Sequence, residues 1–196
     1  FLFSLIVFSR QLITKKAGKQ KMIYSCAFTG HRPSRLPWRY NEDDPRCKTL
    51  KMVLNTQIHE LAEAGTTSFL SGMAQGVDLW SAQIVLGLRE ENSSIKLHCI
   101  LPCEGQERKW SVSAQELYRS ILNRADNVVF VDREYRQESM LKRNRYLVDH
   151  SSTLLAVYNG QYRSGTAMTV RYAQSKGRKI IMIDPLLRNI SHQGFK

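Results

Sequence analysis

The segment that decides the fold runs from residue 71 to residue 78 and reads Ser71-Gly72-Met73-Ala74-Gln75-Gly76-Val77-Asp78. It follows a run of β-branched and apolar residues, Thr66–Ser71, and precedes a stretch in which apolar residues have helical spacing. Two glycines bracket the junction, and glycine suits both a tight turn and the close approach of a ligand. Asp78 falls in the first helical turn, where it can cap backbone N–H groups or accept from a ligand hydroxyl. The spacing fits a phosphate-holding strand-to-helix turn and a purely structural turn equally well.

The rest of the chain repeats this strand-to-helix alternation. Six runs rich in β-branched and apolar residues have the composition of strands. The predicted strands are Ile23–Phe28, Thr66–Ser71, Ile95–Leu101, Asn127–Val131, Thr153–Tyr158 and Lys179–Ile183. Strands that alternate with helices imply a parallel sheet joined by right-handed crossovers. The predicted fold class is therefore α/β, a Rossmann-like parallel sheet of about six strands with helices on both faces.

The length of 196 residues favours one domain rather than two. The first eight residues are apolar but too few to cross a bilayer, which takes about 18 or more. We expect no membrane association. We expect natural translation to begin at Met22, so that residues 1–21 form a non-native or disordered extension and residues 22–196 form a single Rossmann-like domain.

Charge and cysteine content narrow the partners and the compartment. The net charge is +12, and residues 1–21 contribute five basic residues and no acid, which leaves +7 for the remainder. A positive field raises the local concentration of anionic partners. The four cysteines, Cys26, Cys47, Cys99 and Cys103, have no CxxC or zinc-type Cys/His spacing, so we expect no metal site and a reducing, cytoplasmic location. Cys26 and Cys99 fall in predicted strands and are expected to be buried.

Ligands of such sheets bind beyond the carboxyl ends of the strands, so the loops at those ends carry the candidate residues. After the first strand, Thr29 offers a hydroxyl, Gly30 allows close approach of a ligand, and Arg32 can clamp a phosphate. His31 and Asp78 are the candidates for acid or base catalysis. The alternative is a plain turn with solvated side chains. The sequence leaves the question of whether the protein is an enzyme open.

Two later loops add further candidates. Gln106 and Trp110 can bind and stack on a base, or they can cap and pack a helix. Cys103 has no histidine close in sequence to act as its base, so we expect no catalysis by this thiol. Gly165 and Thr166 open the last helix, and backbone N–H groups at a helix start suit an anion.

Four stretches taken together carry a family resemblance. They are Thr29–Pro33, Ser71–Trp80, Arg143-Asn144 and Gly165–Ala173. In this order they resemble the signatures of the YpsA-like proteins of the SLOG superfamily, which also contains the DNA-processing protein DprA (Smf) and the LOG phosphoribohydrolases. The resemblance covers about residues 23–185. It implies a Rossmann-like fold that binds a nucleotide or nucleotide-derived ligand, such as NAD or an ADP-ribose-like molecule. It also implies a ligand-sensing or regulatory role.

Motifs and resemblance together define one predicted site. The predicted ligand-binding residues are Thr29, Gly30, His31, Arg32, Ser71, Gly72, Gly76, Asp78, Gln106, Trp110, Arg143, Asn144, Gly165 and Thr166. In this site Gly72, Gly76, Gly165 and Thr166 are expected to hold phosphate, and Asp78 to engage a sugar hydroxyl. By helical periodicity alone, however, the Arg143–Tyr146 stretch is more typical of a solvated basic face.

Two alternatives follow from the relatives within the superfamily. In LOG-type hydrolases the motif Gly-Gly-x-Gly-Thr-x-x-Glu carries a catalytic carboxylate, but this chain has Thr169 at the Glu position and Ser164 in place of a glycine. The absence of this carboxylate weakens the hypothesis that the protein is a hydrolase. In DprA-like proteins a segment similar to residues 71–78 accompanies binding of single-stranded DNA. Proteins that bind single strands usually interleave basic residues with aromatic ones. Here the basic residues are spread along the sequence without an aromatic run, so single-stranded nucleic acid is only the second choice of partner. The sequence does not decide the oligomeric state, and a homo-oligomer is one of the options.

Overall fold

A computed structural model describes residues 24–186 and 190–194. The predicted extension of residues 1–21 and the predicted start at Met22 lie outside the described residues. Within the described part, the chain alternates strands and helices as the sequence predicts.

The strands form one mostly parallel sheet. They are β1 (Tyr24–Gly30), β2 (Thr66–Ser71), β3 (Lys96–Leu101), β4 (Asn127–Phe130), β5 (Thr153–Val157), β6 (Lys179–Ile183) and β7 (Ile190–Gln193). Their order across the sheet is β4-β3-β2-β1-β5-β6-β7, and only the pairing of β7 with β6 is antiparallel. The predicted α/β class and Rossmann-like arrangement are confirmed. The prediction of about six strands misses β7, whose four residues are all exposed.

In the described part of the chain, five α-helices cover the two faces of this sheet. They are α1 (Pro45–Glu63), α2 (Val77–Glu91), α3 (Val112–Arg124), α4 (Ser139–Asp149) and α5 (Gly165–Ser175). Side chains alternate between the faces of a strand, so Cys26 and Phe28 pack with α1, α2 and α3, whereas Ala27 packs with α4 and α5. Burial on both faces explains why the central strands are almost entirely apolar.

Local signals in the sequence set the helix boundaries. The Asp44 side chain caps α1 by accepting from the backbone N–H of Arg46 at 2.8 Å, and Pro45 occupies the first helical position. Ser111 and Ser164 cap α3 and α5 in the same way. Within residues 24–186 and 190–194, no helix has both the length and the apolar character that crossing a bilayer requires.

The strand order creates one topological switch point. From β1 the chain moves outward through β2, β3 and β4, then crosses back to place β5 on the other side of β1. The loops that follow β1 and β5 therefore leave the sheet in opposite directions and open a crevice between them. Ligands of open α/β sheets bind in such a crevice.

Candidate functional site

A cleft of about 320 Å³ lies at the carboxyl ends of β1 and β5. It is lined by Phe28, Thr29, Gly30, His31, Arg32, Arg35, Ala74, Asp78, Met140, Arg143, Asn144, Leu147, Ser164, Gly165 and Thr166. Nine of the predicted site residues are among these, and they come from four separate stretches of sequence. The volume is at the small end of the range for ligand sites, about 300–1,000 Å³.

The charge of the cleft is positive. Three arginines, Arg32, Arg35 and Arg143, line it together with a single carboxylate, Asp78. Arg32 precedes a 3-10 turn (Pro33–Arg35) and Arg35 ends it, and both are exposed, so their guanidinium groups are free to reach a ligand. The planar guanidinium matches phosphate with two parallel hydrogen bonds. Sequence analysis missed Arg35, although its closeness to Arg32 along the chain was a usable signal.

Arg143 and Asp78 form a buried ion pair at the floor of the cleft. Arg143 Nη1 lies 3.4 Å from Asp78 Oδ2 and donates to the carbonyl oxygen of Gly72. The backbone N–H of Ala74 donates to the same Asp78 oxygen at 3.2 Å. Burial raises the pKa of Asp78, and Arg143 and the Ala74 N–H oppose that rise. The expectation of a solvated basic face is wrong for Arg143, which is only 5% exposed because the ion pair draws it inward.

Met140 links the two arginines on the α4 side of the cleft. Its sulfur accepts from Arg32 Nη2 at 3.9 Å and from Arg143 Nη2 at 3.8 Å. A thioether is a weak acceptor and carries no charge, so it orients these cations without neutralising them. Nothing in the sequence marks Met140 as a member of the site, because a methionine in a helix is normally a packing residue.

Three glycines near the cleft make room for protein groups. A Cβ on Gly30 would lie 2.5 Å from Val77 Cγ2, and one on Gly72 would lie 1.7 Å from Arg143 Nη1. Gly76, with φ of +90°, packs against Pro33 and lies outside the cleft. Val77 therefore accounts for the absence of a side chain at Gly30, and close approach of a ligand to Gly30, which lines the cleft, stays a prediction.

The first turn of α5 contributes the opposite wall. Ser164 Oγ accepts from the Ala167 N–H at 3.0 Å and fixes this turn. A Cβ on Gly165 would meet nothing within 4 Å, so the cleft is open at this position. The N–H groups at the start of a helix have no intrahelical partner and carry partial positive charge. This turn can therefore receive an anion.

Thr169 faces its own helix. Its hydroxyl donates to the Gly165 carbonyl oxygen at 3.0 Å, and the residue is 3% exposed. The position that carries a carboxylate in LOG-type motifs thus supplies a backbone contact here. The hydrolase alternative, with Asp78 or His31 as acid or base, stays a prediction.

His31 joins the loops that follow β1 and β5. Its Nε2 lies 2.8 Å from Asn159 Oδ1, and the Gln161 N–H also points at that oxygen, at 3.3 Å. An amide oxygen only accepts, so Nε2 donates to it, and in the neutral form of the ring Nδ1 is then an acceptor. Among the described residues, neither His31 Nδ1 nor Arg143 Nε has a hydrogen-bond partner, although both are buried. Buried polar atoms without partners are rare, and here both belong to residues that line the cleft.

The remaining predicted residues support the site from outside. Ser71 Oγ donates to the Asp78 carbonyl oxygen at 2.9 Å and receives the Met73 N–H. Gln106 Nε2 donates to the Met73 carbonyl oxygen at 3.1 Å, and Trp110 packs edge-on against Tyr118. Neither Gln106 nor Trp110 lines the cleft, and binding of a base by these two residues stays a prediction. Met73 itself has φ of 58°, a conformation that these contacts hold in place.

The cysteines are buried and unpaired. Cys26 and Cys99 lie inside strands, as predicted, and burial raises the pKa of each thiol to about 12. Burial also raises the pKa of Cys103, which disfavours the reactive thiolate. Cys103 does not line the cleft.

Sequence comparisons match this chain to a protein family and to bacterial relatives. The profile of the YspA SLOG family matches residues 26–186. A UPF0398 protein from Bacillus pumilus is 30% identical over 151 residues, which cover 76% of this chain and 81% of the relative. A UPF0398 protein from Bacillus cereus is 29% identical over 153 residues, which cover 77% of this chain and 83% of the relative.

A solved structure shares the fold. It is DNA processing protein A from Helicobacter pylori, a protein with a unique single-stranded DNA binding mode. The match has a TM-score of 0.56 and 18% identity, and it covers 86% of this chain and 68% of the other. At this identity the likeness shows the fold alone.

Proposed function

The chain belongs to the YspA SLOG family, as its motifs predicted, and on that premise we propose that its cleft binds a phosphate-bearing nucleotide or nucleotide derivative. NAD and ADP-ribose are the larger candidates of this class. The protein would act as a ligand-sensing or regulatory module. A cytoplasmic location is part of the proposal and is supported by four unpaired cysteines, which persist in a reducing compartment.

One observation carries the proposal. Three guanidinium groups and the first turn of α5 surround one small cleft, and its single carboxylate is already engaged by Arg143. The cleft therefore holds positive charge that no described residue neutralises at Arg32 and Arg35. A phosphate at the α5 start would receive backbone N–H groups together with an arginine clamp.

The proposal gives each group of cleft residues a role. Gly165 and Thr166 are the phosphate donors, with Arg32 and Arg35 as the clamp. His31 Nδ1 is the acceptor for a ligand hydroxyl. Both hydrogen bonds described for the Asp78 carboxylate use Oδ2, which leaves Oδ1 for a sugar hydroxyl. Gly72 and Gly76, which the sequence assigned to phosphate, act in this proposal only by shaping the turn.

A second candidate function is binding of single-stranded DNA. The match to DNA processing protein A of Helicobacter pylori favours it, since that protein binds single-stranded DNA and has a similar fold. The two candidates are separable, because a nucleotide stabilises the protein at any moderate salt, whereas strand binding weakens steeply with salt.

Thermal unfolding with AMP, ADP, NAD and ADP-ribose tests the nucleotide proposal. A ligand at ~100 times its dissociation constant adds about 2.7 kcal/mol of stability. For a protein of this size that raises the melting temperature by roughly 5–10 °C.

The matched variants are Arg32→Ala and Arg119→Ala. Arg119 is an exposed arginine of α3, outside the cleft, so its loss changes the net charge equally. We expect the shift to shrink in Arg32→Ala and to persist in Arg119→Ala. Absence of any shift with all four compounds would overturn the proposal.

A further inference from the structure

The positive charge of the chain is concentrated in one segment. Residues 139–179, from the start of α4 to the start of β6, contain eight basic residues and one acid, Asp149. The rest of the chain from residue 22 onward holds sixteen basic and sixteen acidic residues. Without residues 1–21 the chain has a net charge of +7, and this segment alone accounts for it. The helices α4 and α5, which together cover one face of the sheet, both lie in this segment.

Most of these cations lie on the outer surface of that layer. Arg145, Arg163, Arg171 and Lys176 are exposed, whereas Arg143 points inward to Asp78. Lys142 is engaged by Asp132 at 2.9 Å, and Lys176 is 3.8 Å from Asp149. Arg145 and Arg171 face aromatic rings instead of carboxylates, so their charge stays available to an anion.

Aromatic side chains alternate with these cations in space. The Arg145 guanidinium lies 5.6 Å from the centre of the Tyr172 ring, and Lys176 Nζ lies 5.2 Å from the same ring. Arg171 lies 4.6 Å from the centre of the Tyr162 ring, and that tyrosine is 74% exposed. The basic residues are spread along the sequence without an aromatic run, but packing of α4 on α5 brings Arg145 beside Tyr172.

We propose that this α4–α5 surface (Arg145, Tyr162, Arg163, Arg171, Tyr172 and Lys176) binds single-stranded nucleic acid. The inference rests on the second candidate function above and gives it a location. The exposed ring of Tyr162 and the unneutralised arginines Arg145 and Arg171 supply the two contacts that single strands use, base stacking and phosphate pairing. A duplex hides its base faces and would leave the exposed ring of Tyr162 unused.

The surface begins at the cleft. Tyr162 and Arg163 directly precede Ser164, which lines the cleft, and Arg145 follows Asn144, which also lines it. From there α5 extends for 11 residues, about 16 Å, toward Lys176. A strand on this path would have one end beside the nucleotide cleft.

Fluorescence anisotropy with a labelled oligodeoxythymidylate tests the surface. The double variant Arg145→Ala/Arg171→Ala removes two cations, and the slope of log affinity against log salt should fall in magnitude by about 1.4. Tyr162→Ala should weaken binding about tenfold through lost stacking. The matched control is Lys109→Ala/Arg119→Ala, which removes two exposed cations elsewhere and should keep the slope and most of the affinity. Melting temperatures confirm that each variant is folded.

The other outcomes of the anisotropy experiment distinguish a wrong location from an absence of strand binding. If the wild type binds the oligonucleotide but Arg145→Ala/Arg171→Ala behaves as the control does, the location is wrong and strand binding stands. If the wild type binds no oligonucleotide at low salt, both the location and the second candidate function are wrong, whatever the nucleotides do in thermal unfolding. Capture by phosphatidylserine vesicles without oligonucleotide binding would assign the surface to a membrane and overturn the inference.

Discussion

At the level of single residues, Gly72 gives Arg143 the room it needs to reach Asp78. A side chain at this position would lie 1.7 Å from the guanidinium. We expect Gly72→Ala to destabilise the protein by about 1–3 kcal/mol, as overpacking of a filled interior does. Gly87 in α2 is the control, because a Cβ there meets nothing within 4 Å. Gly87→Ala should stabilise by up to about 1 kcal/mol through helix propensity. Urea unfolding of both variants measures the difference, and equal effects would contradict the packing assignment.

The buried pair of Asp78 and Arg143 makes a second prediction. Asp78→Asn leaves Arg143 buried without its counter-charge, which costs about 3–5 kcal/mol. Arg143→Met likewise leaves the Asp78 carboxylate buried without its counter-charge. The double variant should lose less stability than the sum of the single variants, with a coupling of about 0.5–3 kcal/mol. Additive losses in urea unfolding would show that the two side chains do not act as a pair.

Residue identity alone could name much of this site but not its internal contacts. The loops after the strands identified His31, Arg32 and Gly165 because their positions follow from the fold. The inward turn of Arg143 could not be predicted, since helical periodicity describes an arginine in α4 as solvated whatever faces it. Its partner, Asp78, is 65 residues away in sequence.

At the level of elements, the first turn of α5 has both a structural and a binding role. Ser164→Ala removes the hydroxyl that caps this helix and should cost about 1 kcal/mol. Ser111→Ala does the same to α3, outside the cleft, at a similar cost. We expect both variants to unfold at lower urea concentration but only Ser164→Ala to bind nucleotides more weakly. Equal loss of nucleotide binding in the two variants would show that the effect is one of general stability.

Element prediction succeeded where a strand is rich in apolar and β-branched residues and failed where it is not. The six predicted strands correspond to β1 through β6, and β4 was found from its composition although none of its residues is buried. Strand β7 was missed since Ile190–Gln193 contains one apolar residue and lies exposed at the edge of the sheet. A short polar edge strand has no pattern that distinguishes it from a loop in the sequence.

At the level of the whole molecule, strand order decides where function is located. The crossover after β4 returns the chain to β5 beside β1, and this step creates the crevice for the cleft. The same step gathers α4 and α5 on one face and makes that face cationic. Neither consequence could be derived from alternation of strands and helices, because that alternation is compatible with several strand orders. Local sequence patterns do not indicate which loops come together, whereas the family resemblance did.

A nuclear magnetic resonance titration of the labelled protein with AMP and ADP-ribose tests the central claim most directly. The claim places phosphate at the first turn of α5 and against Arg32. We predict saturable shifts of the backbone amides of Gly165 and Thr166, together with the side-chain resonance of Arg32, while amides of α3 stay unchanged. Saturable shifts confined to residues outside the cleft, or none at millimolar ligand, would contradict it.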